Sequence, residues 1–194
     1  MRSSNLIGGV AAALLLATPA LAATKPPVYY GSPITEADVA ALDIDIRTPD
    51  GKGLPAGKGT VAQGEKIFAE KCVACHGEKA KGGSQFGSMV GGIGSFTTTT
   101  RVLTPGSMYP YAPILFDYTR RAMPMDSPQS LSNDDVYALS AYILHLNGLV
   151  PADAVMDATT LAKVQMPNKD GFIRDDRPDT KAARCMKDCP PINN

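Results

Sequence analysis

Apolar side chains recur with helical spacing in three stretches of this chain. In residues 60–76 Ile67, Phe68, the stem of Lys71 and Cys75 share a face, with Gly64 one turn before Phe68 and Thr60 placed as N-cap. In residues 113–122 Ile114, Leu115, Tyr118 and Ala122 share a face. Pro113 suits the first helical position there, Arg120 and Arg121 suit the C-terminal dipole, and Pro124 stops the helix. In residues 132–147 Val136, Leu139, Ile143 and Leu146 repeat at i, i+3, i+7 and i+10. Ser132 caps that helix, Asp134 and Asp135 fill its first turn, and Gly148 ends it.

Between these stretches the pattern fails in an informative way. Residues 77–111 are rich in Gly, with four Thr at 97–100, and read as one long loop. A loop of that length in a small domain is expected to wrap something. Residues 23–59 are rich in Pro and Gly, apart from a short turn at 35–41 that Thr35 would cap. They read as an arm, because they hold too few apolar residues for a core of their own. The chain after Pro151 reads as irregular. The expected organisation is a signal peptide over 1–22, an arm over 23–57, an all-α domain over 58–150 and an extension over 151–194.

Composition narrows the function classes. The chain of 194 residues carries 19 basic and 19 acidic side chains. Zero net charge argues against a nucleic-acid surface, which needs a basic stripe, and against a polybasic membrane patch. Met1 to Ala22 has one charge (Arg2), an apolar run over Leu6 to Ala17, Pro19, and Ala20-Leu21-Ala22 as a small-x-small site. That is the layout of a secretory signal, so export to an oxidising compartment, the periplasm, is expected.

With four Cys and two His in the chain, Cys72-Val73-Ala74-Cys75-His76 is unlike chance. C-x-x-C-H is the attachment signature of c-type haem. Two thiols add across the two vinyl groups on the porphyrin, and the next residue offers an imidazole to the iron. A thioredoxin-like redox pair would need a βαβ context, and a zinc site would need two more nearby ligands. Neither is present in the sequence, so one covalently bound haem c is expected on Cys72 and Cys75, with His76 as an iron ligand.

The sixth ligand is His, Met or an open position. His145 lies off the apolar face of its helix. Met123, followed by Pro124 just past a helix end, stands out; Met125 competes with it, and Met89 and Met108 lie in the long loop. Cys185 and Cys189 have no following His, and a spacing of i, i+4 brings Cα atoms within disulfide range. A local disulfide pinning the tail is expected, with a copper or zinc site using Met186 as its rival.

Gly64 to Phe68, the Gly-rich loop, RAMP at 121–124 and SLSNDDVYALSAYILHLNG at 130–148 together resemble a class I, His/Met-ligated cytochrome c. The resemblance implies three to five helices around one haem, with first and last helices crossing where Gly64 and Phe68 meet Tyr142. It implies Met123 as the distal ligand. The segments at 41–68, 106–132 and 166–189 further resemble the cytochrome subunit of Sox-type sulfur and sulfite dehydrogenases. That resemblance implies an electron-transfer subunit, itself non-catalytic. It would accept electrons from a molybdenum-containing dehydrogenase and pass them to a downstream cytochrome or oxidase. Two departures stand out: a single C-x-x-C-H, and Gly87-Ser88-Met89 where many relatives place a Pro whose carbonyl fixes the proximal His. Tyr109, Tyr111 and Arg101 are candidate partners for haem propionates, since a buried carboxylate must be paired. Ordinary packing explains the two Tyr equally well, and a solvated charge explains Arg101. A free shuttle, and a haem enzyme or sensor with an open iron position, are the competing functions.

Overall fold

The computed structural model describes residues 31–175. The signal peptide expected over 1–22 and the disulfide expected between Cys185 and Cys189 lie outside them. The chain divides into two compact units between Ala40 and Ala41. In the first, Thr35 and Asp38 cap each other: the Thr35 amide donates to Asp38 Oδ2 at 2.8 Å, and the Asp38 amide donates to Thr35 Oγ1 at 3.2 Å. They open a solvent-exposed helix, α1 (Glu36–Leu42).

The second unit is built on a helix crossing. Strand β1 (Lys58–Thr60) runs directly into α2 (Val61–Lys71), and Thr60 caps that helix in a reciprocal box with Gln63. The chain breaks at Cys72, where ψ is −28° and φ −121°, and resumes as a single turn, α3 (Val73–His76), followed by a 3₁₀ turn at Glu78–Ala80. Beyond that turn the long loop is irregular except for α4 (Pro105–Met108), a turn capped by Thr104 and Ser107. Helix α5 (Pro113–Ala122) begins on Pro113, and α6 (Asn133–Leu146) begins on Ser132, boxed with Asp135. Val155–Asp157 forms β2, antiparallel to β1 with Gly59 opposite Met156, and Asp157 caps the short α7 (Ala158–Leu161). No helix among the described residues is long and apolar enough to cross a membrane.

Helix α6 is the axis of the core. Every residue from Val136 to Leu144 is buried, so its apolar surface extends well beyond the stripe legible in the sequence. One face meets α2. A Cβ added to Gly64 would lie 1.9 Å from the Ala138 carbonyl oxygen and 2.8 Å from Tyr142 Cβ. One turn on, the rings of Phe68 and Tyr142 sit 5.6 Å apart, tilted by 53°. Ala138 is also approached by Gly59, whose added Cβ would lie 2.2 Å from the Ala138 amide nitrogen. Two glycines therefore let a strand and a helix close onto one alanine.

On α5 the buried residues are Pro113, Leu115 and Phe116, while Tyr118 is 54% exposed. This corrects the expected face. Phe116 turns inward because it packs against Tyr137 of α6, with centroids 4.4 Å apart and the rings tilted by 45°.

The segments on either side of the helical domain are fastened to it. The Tyr137 hydroxyl donates to the Pro55 carbonyl at 2.8 Å, and the Lys58 amide donates to Asp134 at 2.8 Å. Arg121 donates to Asp117 at 2.8 Å, to Asp45 at 3.1 Å and to the Ile44 carbonyl at 3.3 Å. Beyond Pro151 the chain carries β2 and α7 instead of irregular structure, and Met156, Leu161 and Met166 enter the same core as α6. Asn168 donates to the Met108 carbonyl at 2.8 Å, which ties this segment to α4.

Candidate functional site

The break after α2 places the chemistry. Because α2 stops at Cys72 and α3 starts again at Val73, Cys72, Cys75 and His76 all reach one cavity of about 360 Å³. Phe68 and Lys71 of α2 also line it, as do Gln85, Phe86 and Met89 from the Gly-rich loop. Leu115 and Thr119 enter from α5, Met123, Pro124, Met125 and Asp126 from the turn beyond it, and Leu131, Leu139 and Ile143 from α6 and its approach. The wall is largely apolar, with sulfur, imidazole and amide groups at a few points.

Each predicted residue can now be placed. Cys72 is half-buried, and burial pushes its thiol up to about 11, with Lys71 pulling slightly the other way. The Cys75 thiol donates to Gln85 Oε1 at 3.5 Å. Burial holds His76 below the usual imidazole range, so the ring is neutral near pH 7, as a metal ligand requires. Its ring lies against Phe86, centroids 5.4 Å apart and 28° from parallel. His76 Nδ1 is buried and has no hydrogen-bond partner among the described residues.

Met123 sits at the C-cap of α5, half-buried and on the cavity wall. Met125 also lines the cavity but is 64% exposed, and Met89 lines it from the loop. Met108 is not on the wall; its carbonyl is held by Asn168. Nor is His145, whose Nδ1 lies 3.1 Å from the Val150 carbonyl and closes the turn after α6.

Tyr109, Tyr111 and Arg101 are not on the cavity wall either. Tyr109 packs half-buried against the core, where burial and then nearby Tyr118 raise its phenol above the ordinary range. Tyr111 is half-buried and Arg101 exposed.

Sequence reasoning did not single out Gln85 or Phe86. They lie in a loop without periodicity, and only the fold of that loop turns them onto Cys75 and His76.

The residues fit a covalently held haem. Two thiols and a neutral imidazole from one short stretch face a single apolar cavity, and methionine sulfur is supplied to the same wall by another element. An apolar wall with few polar groups is what a porphyrin face needs.

A family model described as Cytochrome c matches residues 61–147. The sulfane dehydrogenase SoxCD from Paracoccus pantotrophus contains a chain of similar structure: 38% identity, TM-score 0.71, covering 87% of this chain and 85% of that one. The Cbb3-type cytochrome c oxidase subunit CcoP of Rhodobacter capsulatus is 30% identical over 104 residues, 50% of this chain and 32% of that protein. The subunit FixP of Bradyrhizobium diazoefficiens is 57% identical over 37 residues, 19% of this chain and 13% of that protein. The chain thus spans a third or less of the length of these two oxidase subunits.

Proposed function

The chain belongs to the class I c-type cytochromes with one covalently bound haem c, and from that premise we propose that it takes single electrons from a molybdenum-containing sulfur or sulfite dehydrogenase in the periplasm and delivers them to a downstream cytochrome or oxidase. Cys72 and Cys75 would hold the haem through thioether bonds, and His76 and Met123 would supply its iron ligands. The observation that carries this reading is that all four side chains, contributed by two separate parts of the chain, line one apolar cavity. The bound haem supplies a one-electron Fe(III)/Fe(II) couple, and a Met ligand raises its potential, which suits an electron acceptor.

The protein's part is to exclude water from that cavity and set its polarity. Phe68, Leu115, Leu139 and Ile143 supply the apolar wall, and the His76–Phe86 stack fixes the imidazole plane. The sulfur-dehydrogenase link rests on the SoxCD chain, which matches along most of both sequences. The segments outside the haem fold, residues 44–59 and 151–168, are held to α5 and α6 and enlarge the surface offered to a partner.

The test is purification from native periplasm with any bound subunit. Sulfite or thiosulfate is then added anaerobically while the reduced-haem bands are followed. Rapid reduction with a co-purifying molybdenum subunit is expected. No reduction and no partner would leave a general electron carrier and discard the sulfur assignment.

A further inference from the structure

Six methionines fall among the described residues, and they differ widely in exposure. Met156 and Met166 are 5% and 4% exposed in the core. Met89, Met108 and Met123 are half-buried, and Met125 is 64% exposed. Met125 is also a wall residue of the cavity shared by Cys72, Cys75, His76 and Met123. It therefore stands where that wall meets solvent. Two hydrogen bonds fix the chain around it. The Met123 amide donates to the Thr119 carbonyl at 3.0 Å, ending α5. The Ser127 amide donates to the Pro124 carbonyl at 3.0 Å, closing a turn with Met125 and Asp126 at its centre.

An oxidant in solvent reaches an exposed thioether ahead of a buried one. With a peroxide, an S–O bond forms at Sδ and the O–O bond breaks. Sulfur loses two electrons and the peroxide gains them. The displaced hydroxide takes the proton of the transferred oxygen and leaves as water. The product, methionine sulfoxide, replaces a flexible apolar side chain with a polar one. Sulfoxide reductases reverse it, with two thiols oxidised to a disulfide and the oxygen released as water.

We infer that Met125 is a reversible oxidation site: it takes oxygen from a peroxide ahead of the other described methionines, and its sulfoxide shifts the haem toward Fe(III). The inference rests on the reading of the cavity as the haem site. The wall that Met125 shares is largely apolar, so the sulfoxide oxygen draws water to the cavity mouth for its hydrogen bonds. Water and a polar group near the iron raise the local dielectric, which favours the more highly charged Fe(III) state. Met123, half-buried, keeps its sulfur unoxidised, so the shift comes without loss of methionine–iron ligation.

The experiment uses the full haem-loaded chain in the Fe(III) state and the variant Met125→Leu, which keeps size and apolarity but has no sulfur. Each is treated briefly with hydrogen peroxide, which is then removed. Peptide mass spectrometry follows every methionine, and the Fe(III)/Fe(II) equilibrium is read against a redox mediator before and after. Met125 is expected to oxidise about five times faster than any other described methionine. With Met125 fully oxidised, the equilibrium is expected to move toward Fe(III) by about fivefold in the parent and by less than about twofold in the variant. Met186 is present in both proteins, so the comparison isolates Met125. A parent shift of about threefold or more that exceeds the variant's supports the inference. A smaller shift, or another described methionine reacting as fast, overturns it.

If Met125→Leu does not retain haem, a methionine sulfoxide reductase with a dithiol acts on the treated parent instead. The equilibrium must then return as Met125 returns to the thioether, and no return overturns the inference. The peptide carrying Cys72 to His76 separates the two readings. Without the mass of haem on it, the haem reading fails and the inference fails with it. With haem attached, a Met125 sulfoxide that leaves the equilibrium unmoved sinks only the inference.

Discussion

Replacing Gly64 with alanine puts a methyl carbon 1.9 Å from the Ala138 carbonyl oxygen, 2.5 Å from its carbonyl carbon and 2.8 Å from Tyr142 Cβ. Ordinary contacts begin near 3.4 Å, so α2 and α6 must separate locally by about 1.5 Å. The obstacle is backbone on a fully buried helix and cannot swing aside. Overpacking of this kind costs about 3 kcal/mol, the upper part of its usual range. Helix propensity works the other way, because alanine is favoured over glycine by about 1 kcal/mol inside a helix. The expected net loss is about 2 kcal/mol, which lowers Tm by roughly 4–8 °C for a chain of this size. Separation would also disturb the Phe68–Tyr142 pair, and Phe68 is part of the cavity wall. The assay is thermal and denaturant unfolding of the haem-loaded protein, followed by helix circular dichroism and haem absorbance together. A variant as stable as the parent, or more stable by the propensity gain, would refute the claim that close approach of the two helices is why glycine stands at 64.

Three further outcomes are expected. Met123→Ala should abolish the spectral signature of methionine–iron ligation and lower the reduction potential, whereas Met125→Ala should keep both; the reverse pattern would assign the ligand to Met125. Burial, reinforced by Asp157, raises the Tyr137 phenol to about 12. Its folded value therefore lies above the unfolded one near 10, and the stability it contributes is complete below pH 10 and lost as pH rises toward 12. In pH titrations of unfolding, Tyr137→Phe should be less stable by about 1 kcal/mol at pH 7, and the gap to the parent should narrow above pH 10; a constant gap would contradict this. Arg121→Ala should cost no more than about 1 kcal/mol, since the side chain is 40% exposed. It should nonetheless speed proteolysis near residues 43–53, because it frees the Ile44 carbonyl and Asp45; unchanged cleavage would show that Pro55 and Lys58 suffice as anchors.

The sequence by itself determined the local features. Thr60, Ser132 and Pro113 mark the starts of α2, α6 and α5, because capping and proline geometry act within one turn of chain. C-x-x-C-H identifies the cofactor because its chemistry depends on spacing alone. Gly64 was legible as a candidate for close approach, but only the crossing shows that Ala138 and Tyr142 are what it approaches. The inward turn of Phe116 was decided by Tyr137, a residue 21 positions away whose contact no helical pattern encodes. The same holds for β2 and α7. Val155–Asp157 is too short to announce itself, and it becomes a strand because β1 offers it a partner. Asn147 reads in the sequence as nothing more than a residue before the Gly148 that ends a helix. Its amide gains a role only when the glycine-rich loop folds back and presents Met89 and Gly91 to it. Capping, periodicity and covalent attachment are short-range and can be read along the chain. Which buried polar group meets which carbonyl depends on packing among distant segments, and that is settled only in three dimensions.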